Sequence, residues 1–148
     1  MAGNTVRLHR VLVTKPGKVY RAFLDADAMA RWLPPNGFTG HTHELEPRVG
    51  GKYRMTFTNF TTGNGHGFGG EFLELVPDQK LRYTNRFDNP HLPGEITVTV
   101  TLKAVAVGTE IHIVQEGIPE AIPVEACYLG WQESLDSLKR LVEPEIPD

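Results

Sequence analysis

The chain has 148 residues and a mass of 16.5 kDa, enough for one domain with a substantial core and too little for two. Its 40% hydrophobic and 22% charged content is that of an ordinary folded protein and argues against disorder, a fibrous repeat or a disulfide scaffold. With 15 Lys and Arg against 18 Asp and Glu, the formal charge is −3, so no broad cationic surface is available for phosphates and nucleic acid is excluded as a partner.

The single cysteine, Cys127, has no internal partner for a disulfide, and the opening MAGNTVRLHR lacks the apolar centre of a secretory signal. No apolar run approaches the ~18 residues that membrane insertion needs. These features point to the cytoplasm.

Residues Thr5 to Val13 mix β-branched and basic side chains without helical period and predict a first strand. Pro16 opens a short helix with Val19, Ala22 and Phe23 on one buried face, ending near Asp25. Asp25 caps a second short helix carrying Met29, Trp32 and Leu33, which Pro34-Pro35 stops. Beyond Gly50-Gly51 the period changes to two: Tyr53, Met55 and Phe57 alternate with Lys52, Arg54 and Thr56. Further strands are predicted at Gly69 to Val76, Leu81 to Phe87, Glu95 to Lys103 and Thr109 to Glu116, punctuated by Pro, Gly and Asn/Asp turns. The Gly-rich Thr61 to Gly70 segment between two of them reads as a mobile hairpin loop that could gate a site.

The stretch EITVTVTLK alternates strictly, which predicts an antiparallel sheet with one covered face and one wet face. The cover is a final helix, Val124 to Val142, whose Cys127/Tyr128, Trp131, Leu135, Leu138 and Val142 form an apolar stripe. The fold class is therefore α+β: a curved antiparallel sheet of six or seven strands around one long C-terminal helix, with two short helices after the first strand.

A sheet bent around one helix leaves a pocket unless large side chains fill it. Tyr128 and Trp131 from the helix, with Tyr53, Met55, Phe57, Phe72, Leu81, Tyr83, Val98 and Val100 from the strands, make a mostly apolar lining suited to an apolar or aromatic ligand. The alternative is that these side chains pack into a solid core. Gln115 is in phase with Ile111 and Ile113 and points to the covered side, as a ligand anchor or a structural hydrogen-bonding group.

Other polar features are weaker. His41 and His43 share a strand face and could meet His66 or His91, but no carboxylate or cysteine stands at a ligand interval, so no metal is expected. Glu71 and Glu74 with Arg54, Arg82 and Arg86 could form an acid–base pair in the pocket or simple cross-strand pairs on the wet face. The glycines at 63, 65, 67 and 69 alternate in a hairpin and do not open a helix, so they form no phosphate loop or dinucleotide fingerprint, and no cofactor is expected. Cys127 lies on the apolar helix face as an inert thiol.

Arg10, Pro16 with VYRAFLD, Trp32, PRVGGKYRM, GEFLELVPDQKLRYT, ITVTVTL with GTEIHIVQEG, and GWQESLDSLKRLV follow one another in an order that resembles the START-like (SRPBCC) superfamily. The branch is the one similar to the C-terminal domain of the activator of the 90-kDa heat-shock protein's ATPase. This resemblance implies a helix-grip fold with a cavity between sheet and C-terminal helix. In the wider superfamily such cavities take lipids, sterols, hormones or polyketides, and a few catalyse cyclisation or hydrolysis. No catalytic motif is shared in this branch, so no catalytic residue carries over. A chain of 148 residues has no room for the separate N-terminal domain through which the eukaryotic activator contacts its chaperone, which argues against a chaperone partner.

The expectation is thus a binder of a small apolar or aromatic molecule, held by Trp131, Tyr128, Tyr53, Met55, Phe57, Phe72, Tyr83, Val98 and Gln115. The competing expectations are a cavity enzyme using Glu71 or Glu74 with Arg54, Arg82 or His66, and an interaction module. Edge strands and the Ile118 to Pro123 segment leave a homodimer open.

Overall fold

The computed structural model describes residues 4–148. In chain order it holds β1 (Asn4–Leu12), α1 (Pro16–Ala22), α2 (Ala26–Trp32), β2 (Phe38–Leu45), β3 (Lys52–Asn59), β4 (Gly65–Val76), β5 (Lys80–Phe87), β6 (Ile96–Val105), β7 (Gly108–Ile118) and α3 (Val124–Val142). Seven strands form one antiparallel sheet in the order β1-β7-β6-β5-β4-β3-β2. This is the curved helix-grip sheet expected from the alternation in the sequence.

Local chemistry sets the element ends. Pro16 opens α1, where its missing N–H is no loss. The Asp25 carboxylate accepts from the Ala28 N–H at 2.8 Å and caps α2. On β6, Ile96, Val98, Val100 and Leu102 are buried while Thr101 and Lys103 are exposed. α3 presents Trp131, Leu135, Leu138 and Val142 to the sheet along roughly 28 Å of helix.

Polar ties hold α3 on the sheet. Arg10 lies on the inner face of β1 and donates to Asp136 Oδ1 at 2.7 Å and to Gln132 Oε1 at 2.5 Å. The Val13 N–H donates to Glu143 at 2.8 Å. α2 packs close on β2, because a Cβ on Gly40 would lie 2.6 Å from Pro34 Cγ and 2.7 Å from the Ala30 carbonyl oxygen.

One expectation is corrected. The Thr61 to Gly70 segment is a hairpin loop only as far as Asn64, since β4 begins at Gly65 and pairs with β3 from Thr58↔Gly65 onward. Gly67 and Gly69 are required by packing. A Cβ on Gly67 would collide with the Asp88 carboxylate, and one on Gly69 would stand 2.6 Å from the Tyr53 carbonyl oxygen and 3.0 Å from Arg54 Cδ. Their bareness lets Arg54 of β3 reach across β4 to Asp88 beyond β5, in a two-pronged ion pair at 3.0 and 2.6 Å.

Candidate functional site

Between the inner face of the sheet and α3 lies a cavity of about 240 Å³. Its floor is aromatic: Tyr53 and Phe57 from β3, Phe68 and Phe72 from β4, Tyr83 and Phe87 from β5. α3 closes one side with Cys127, Gly130, Trp131 and Ser134, and the α1–α2 corner closes another with Phe23, Met29 and Trp32. The rings brace one another edge to face, with Phe57 against Phe68 at 4.7 Å and 75°, and Phe23 against Trp32 at 4.8 Å and 68°. Rings fixed in such contacts are not free to swing inward and fill the space.

Most polar groups on this wall are already engaged. The Trp131 indole N–H donates to Gln115 Oε1 at 3.0 Å, the Trp32 indole N–H to the Ala22 carbonyl at 2.9 Å, and the Ser134 hydroxyl to the Leu33 carbonyl at 2.6 Å. The Tyr53 hydroxyl donates to the Thr84 carbonyl at 2.7 Å. Burial raises the pKa of both Tyr53 and Tyr83, with each phenol protonated, and a lesser contribution at Tyr53 comes from Tyr83. Burial also raises the Cys127 thiol, which keeps it from being an activated nucleophile. The exception is Asn85, whose Oδ1 is buried on the cavity wall without a hydrogen-bond partner.

Of the side chains singled out in the sequence, Tyr53, Phe57, Phe72, Tyr83, Val98, Gln115 and Trp131 line the cavity. Met55 and Tyr128 do not. Met55 shares the inner face of β3 but is wholly enclosed in the core, because alternation fixes the face of a strand residue and not its distance from a void. Tyr128 lies one step around α3 from the Cys127–Trp131 line and turns to β1, where its hydroxyl accepts from the Arg7 N–H at 3.3 Å. Leu81 and Val100 are core.

Asn85 was missed, although the signal was present: in the series Leu81, Tyr83, Asn85, Phe87 it is the one polar member on the covered face. Ser134 follows from Trp131, and Gly130 from Cys127, by a spacing of three residues along the helix. The short helices were read as core and prove to be cavity wall as well.

The acid–base candidates are not brought into the cavity. Glu74 pairs with Lys80 at 3.2 Å and Arg82 at 3.6 Å, Arg86 with Glu95 at 3.5 Å, and Arg54 with Asp88, all on the outer face. Glu71 is exposed, and no carboxylate is among the lining residues. His66 alone of the named histidines lines the cavity. His41 and His43 do share a face, 4.6 Å apart, but His66 and His91 do not join them in a ligand set.

A seven-stranded antiparallel sheet gripping a long terminal helix over an aromatic cavity defines a START-like protein. More narrowly, residues 13–143 match the family model for the activator of Hsp90 ATPase homolog 1-like protein, and the chain belongs to that family. No curated protein matches the chain. Among solved structures, a Chromobacterium violaceum protein is 56% identical, with a TM-score of 0.95 over 96% of this chain and 99% of that one. A Rhodobacter sphaeroides protein shares the fold at 23% identity, with a TM-score of 0.81 over 95% of each chain. An AHSA1-like protein from Aeromonas hydrophila does so at 22% identity, with a TM-score of 0.75 over 95% of this chain and 92% of that one. No helix among the described residues is long and apolar enough to cross a membrane.

Proposed function

We propose that the protein binds a small, flat, mostly aromatic molecule in the cavity between the sheet and α3. The observation that supports this most directly is that the cavity is walled by mutually braced aromatic rings, which their own packing keeps from closing it. An apolar cavity of roughly 150 Å³ already admits benzene, so about 240 Å³ suits one or two fused rings. Asn85 Oδ1 adds a chemical demand. A buried acceptor without a donor costs stability, and a ligand that carries a hydroxyl or N–H would satisfy it. The occupant is therefore an aromatic with one hydrogen-bond donor, such as a phenol or naphthol. The outer-face positions of Glu71, Glu74, Arg54 and Arg82 favour binding over acid–base catalysis by that set.

The test compares 2-naphthol with 2-methoxynaphthalene, which differ in the donor, by calorimetric titration and thermal shift. Both should bind and raise the melting temperature, with 2-naphthol favoured about fivefold to tenfold, the worth of one net hydrogen bond. Asn85→Leu should remove the preference while retaining binding. If neither compound binds, the binding reading fails. If both bind equally to the unaltered protein, the Asn85 part alone fails.

A further inference from the structure

On the opposite face of the sheet, three side chains with metal-ligating chemistry converge. β1 and β7 pair antiparallel with His9 directly opposite His112, so both imidazoles leave the ladder on one face. Glu110 is two residues before His112 and joins them by strand alternation. His9 Nε2 stands 3.3 Å from one carboxylate oxygen of Glu110, and His112 Nε2 stands 2.7 Å from the other. The two imidazole rings lie 4.7 Å apart, and one ligand atom from each of the three residues falls within 4.8 Å of the others.

We infer that His9, Glu110 and His112 form a binding site for a divalent transition metal, zinc being the best match, on the outer face of the β1–β7 edge. Donors at 2.0–2.1 Å in a tetrahedral zinc site are about 3.3 Å from one another. One nitrogen–oxygen spacing, 3.3 Å, already has that value and the other, 2.7 Å, is shorter, and rotation of the exposed imidazoles adjusts the rest. The backbone under the site is held by the inner side of the same ladder, where Leu8, Ile111 and Ile113 are buried. Two imidazoles and a carboxylate without a thiolate favour zinc over magnesium or calcium, which take oxygen-rich sets. Three protein ligands leave a fourth position to water.

The protons balance. A carboxylate only accepts, so in the metal-free protein each Nε2 bonded to Glu110 carries the hydrogen. The metal takes the Nε2 lone pairs of the neutral imidazoles whose hydrogen has moved to Nδ1, and Glu110 passes from accepting hydrogen bonds to ligating. Lys103, opposite Glu110 on β6, is the nearest register partner of like charge to the ion and is exposed, free to turn to solvent. The site stands apart from the cavity and does not rest on the ligand-binding reading.

The test is titration of tag-free protein with zinc chloride in a non-coordinating buffer, followed by calorimetry, with the visible spectrum of the cobalt(II) form as a second readout. One equivalent should bind in the low micromolar range, and cobalt should give a tetrahedral absorption band. His9→Ala and His112→Ala should each weaken binding about tenfold or more, and melting temperatures would confirm that each variant is folded. The His41→Ala/His43→Ala double variant should bind as the unaltered protein does. No uptake up to millimolar zinc, uptake that survives His9→Ala/His112→Ala, or uptake lost in the His41/His43 variant would each overturn the assignment.

Discussion

The two faces of strands β3 to β5 are built from the same backbone and do opposite things. The inner face carries Tyr53, Phe57, Phe68, Phe72, Tyr83 and Phe87, whose bulk props α3 away from the sheet and leaves space between. The outer face carries glycines on its middle strand, over which one arginine lies flat to reach an aspartate. Large side chains create a void on one side, and missing side chains permit a tight contact on the other. Side-chain size alone therefore does not tell where a protein is hollow; what matters is whether the neighbours can close in.

Three substitution experiments sharpen this contrast. The largest effect belongs to the inner face. Phe72 is almost fully buried and braces both Tyr53 and Tyr83, so Phe72→Ala should lose about 3–5 kcal/mol in urea unfolding. A loss under about 1 kcal/mol would mean that the rings bear little on one another.

The second concerns the buried phenols. Tyr53 and Tyr83 have raised native-state pKa values, so they stay protonated after an unfolded chain would release those protons near pH 10. Their contribution is complete below that pH and is lost as pH rises through their native values. The urea midpoint should fall from about pH 8 to about pH 10.5, and fall less in Tyr83→Phe. An equal fall in both proteins would place the alkaline sensitivity elsewhere.

The smallest effect belongs to the outer face. The Arg54–Asp88 pair is about half exposed, so Arg54→Ala should cost under about 1 kcal/mol. Gly67→Ala, whose methyl would displace Asp88, should cost little more, and the double variant should cost no more than the sum. A loss of several kcal/mol from Arg54→Ala would show that the ion pair holds the sheet together.

Much of the architecture was legible in the sequence because its signals are local. Val124 to Val142 was read from a 3.6-residue stripe and is the observed α3, and Asp25 was read as a cap and is one. The sheet faces followed from alternation. What was not legible depends on distant neighbours. The Gly65–Gly69 stretch looks flexible in isolation, and it takes Asp88, Arg54 and the Tyr53 carbonyl beside Gly67 and Gly69 to explain why those two positions carry no side chain. Tyr128 and Trp131 sit on one side of a helical wheel, yet β1 draws Tyr128 away from the cavity. His9 and His112 are 103 positions apart, and nothing short of the strand register puts them face to face.

The strand order has a further consequence for the order of events during synthesis. β1 leaves the ribosome first, but its partner on the sheet is β7, with His9 meeting His112. At roughly 5–20 residues per second, that partner emerges on the order of 10 s later. In that interval the strand's unpaired N–H and C=O groups invite other chains. Arg7, His9 and Arg10 along β1 supply the cationic and hydrophilic character that discourages such encounters, so side chains used in the finished molecule also protect the nascent one.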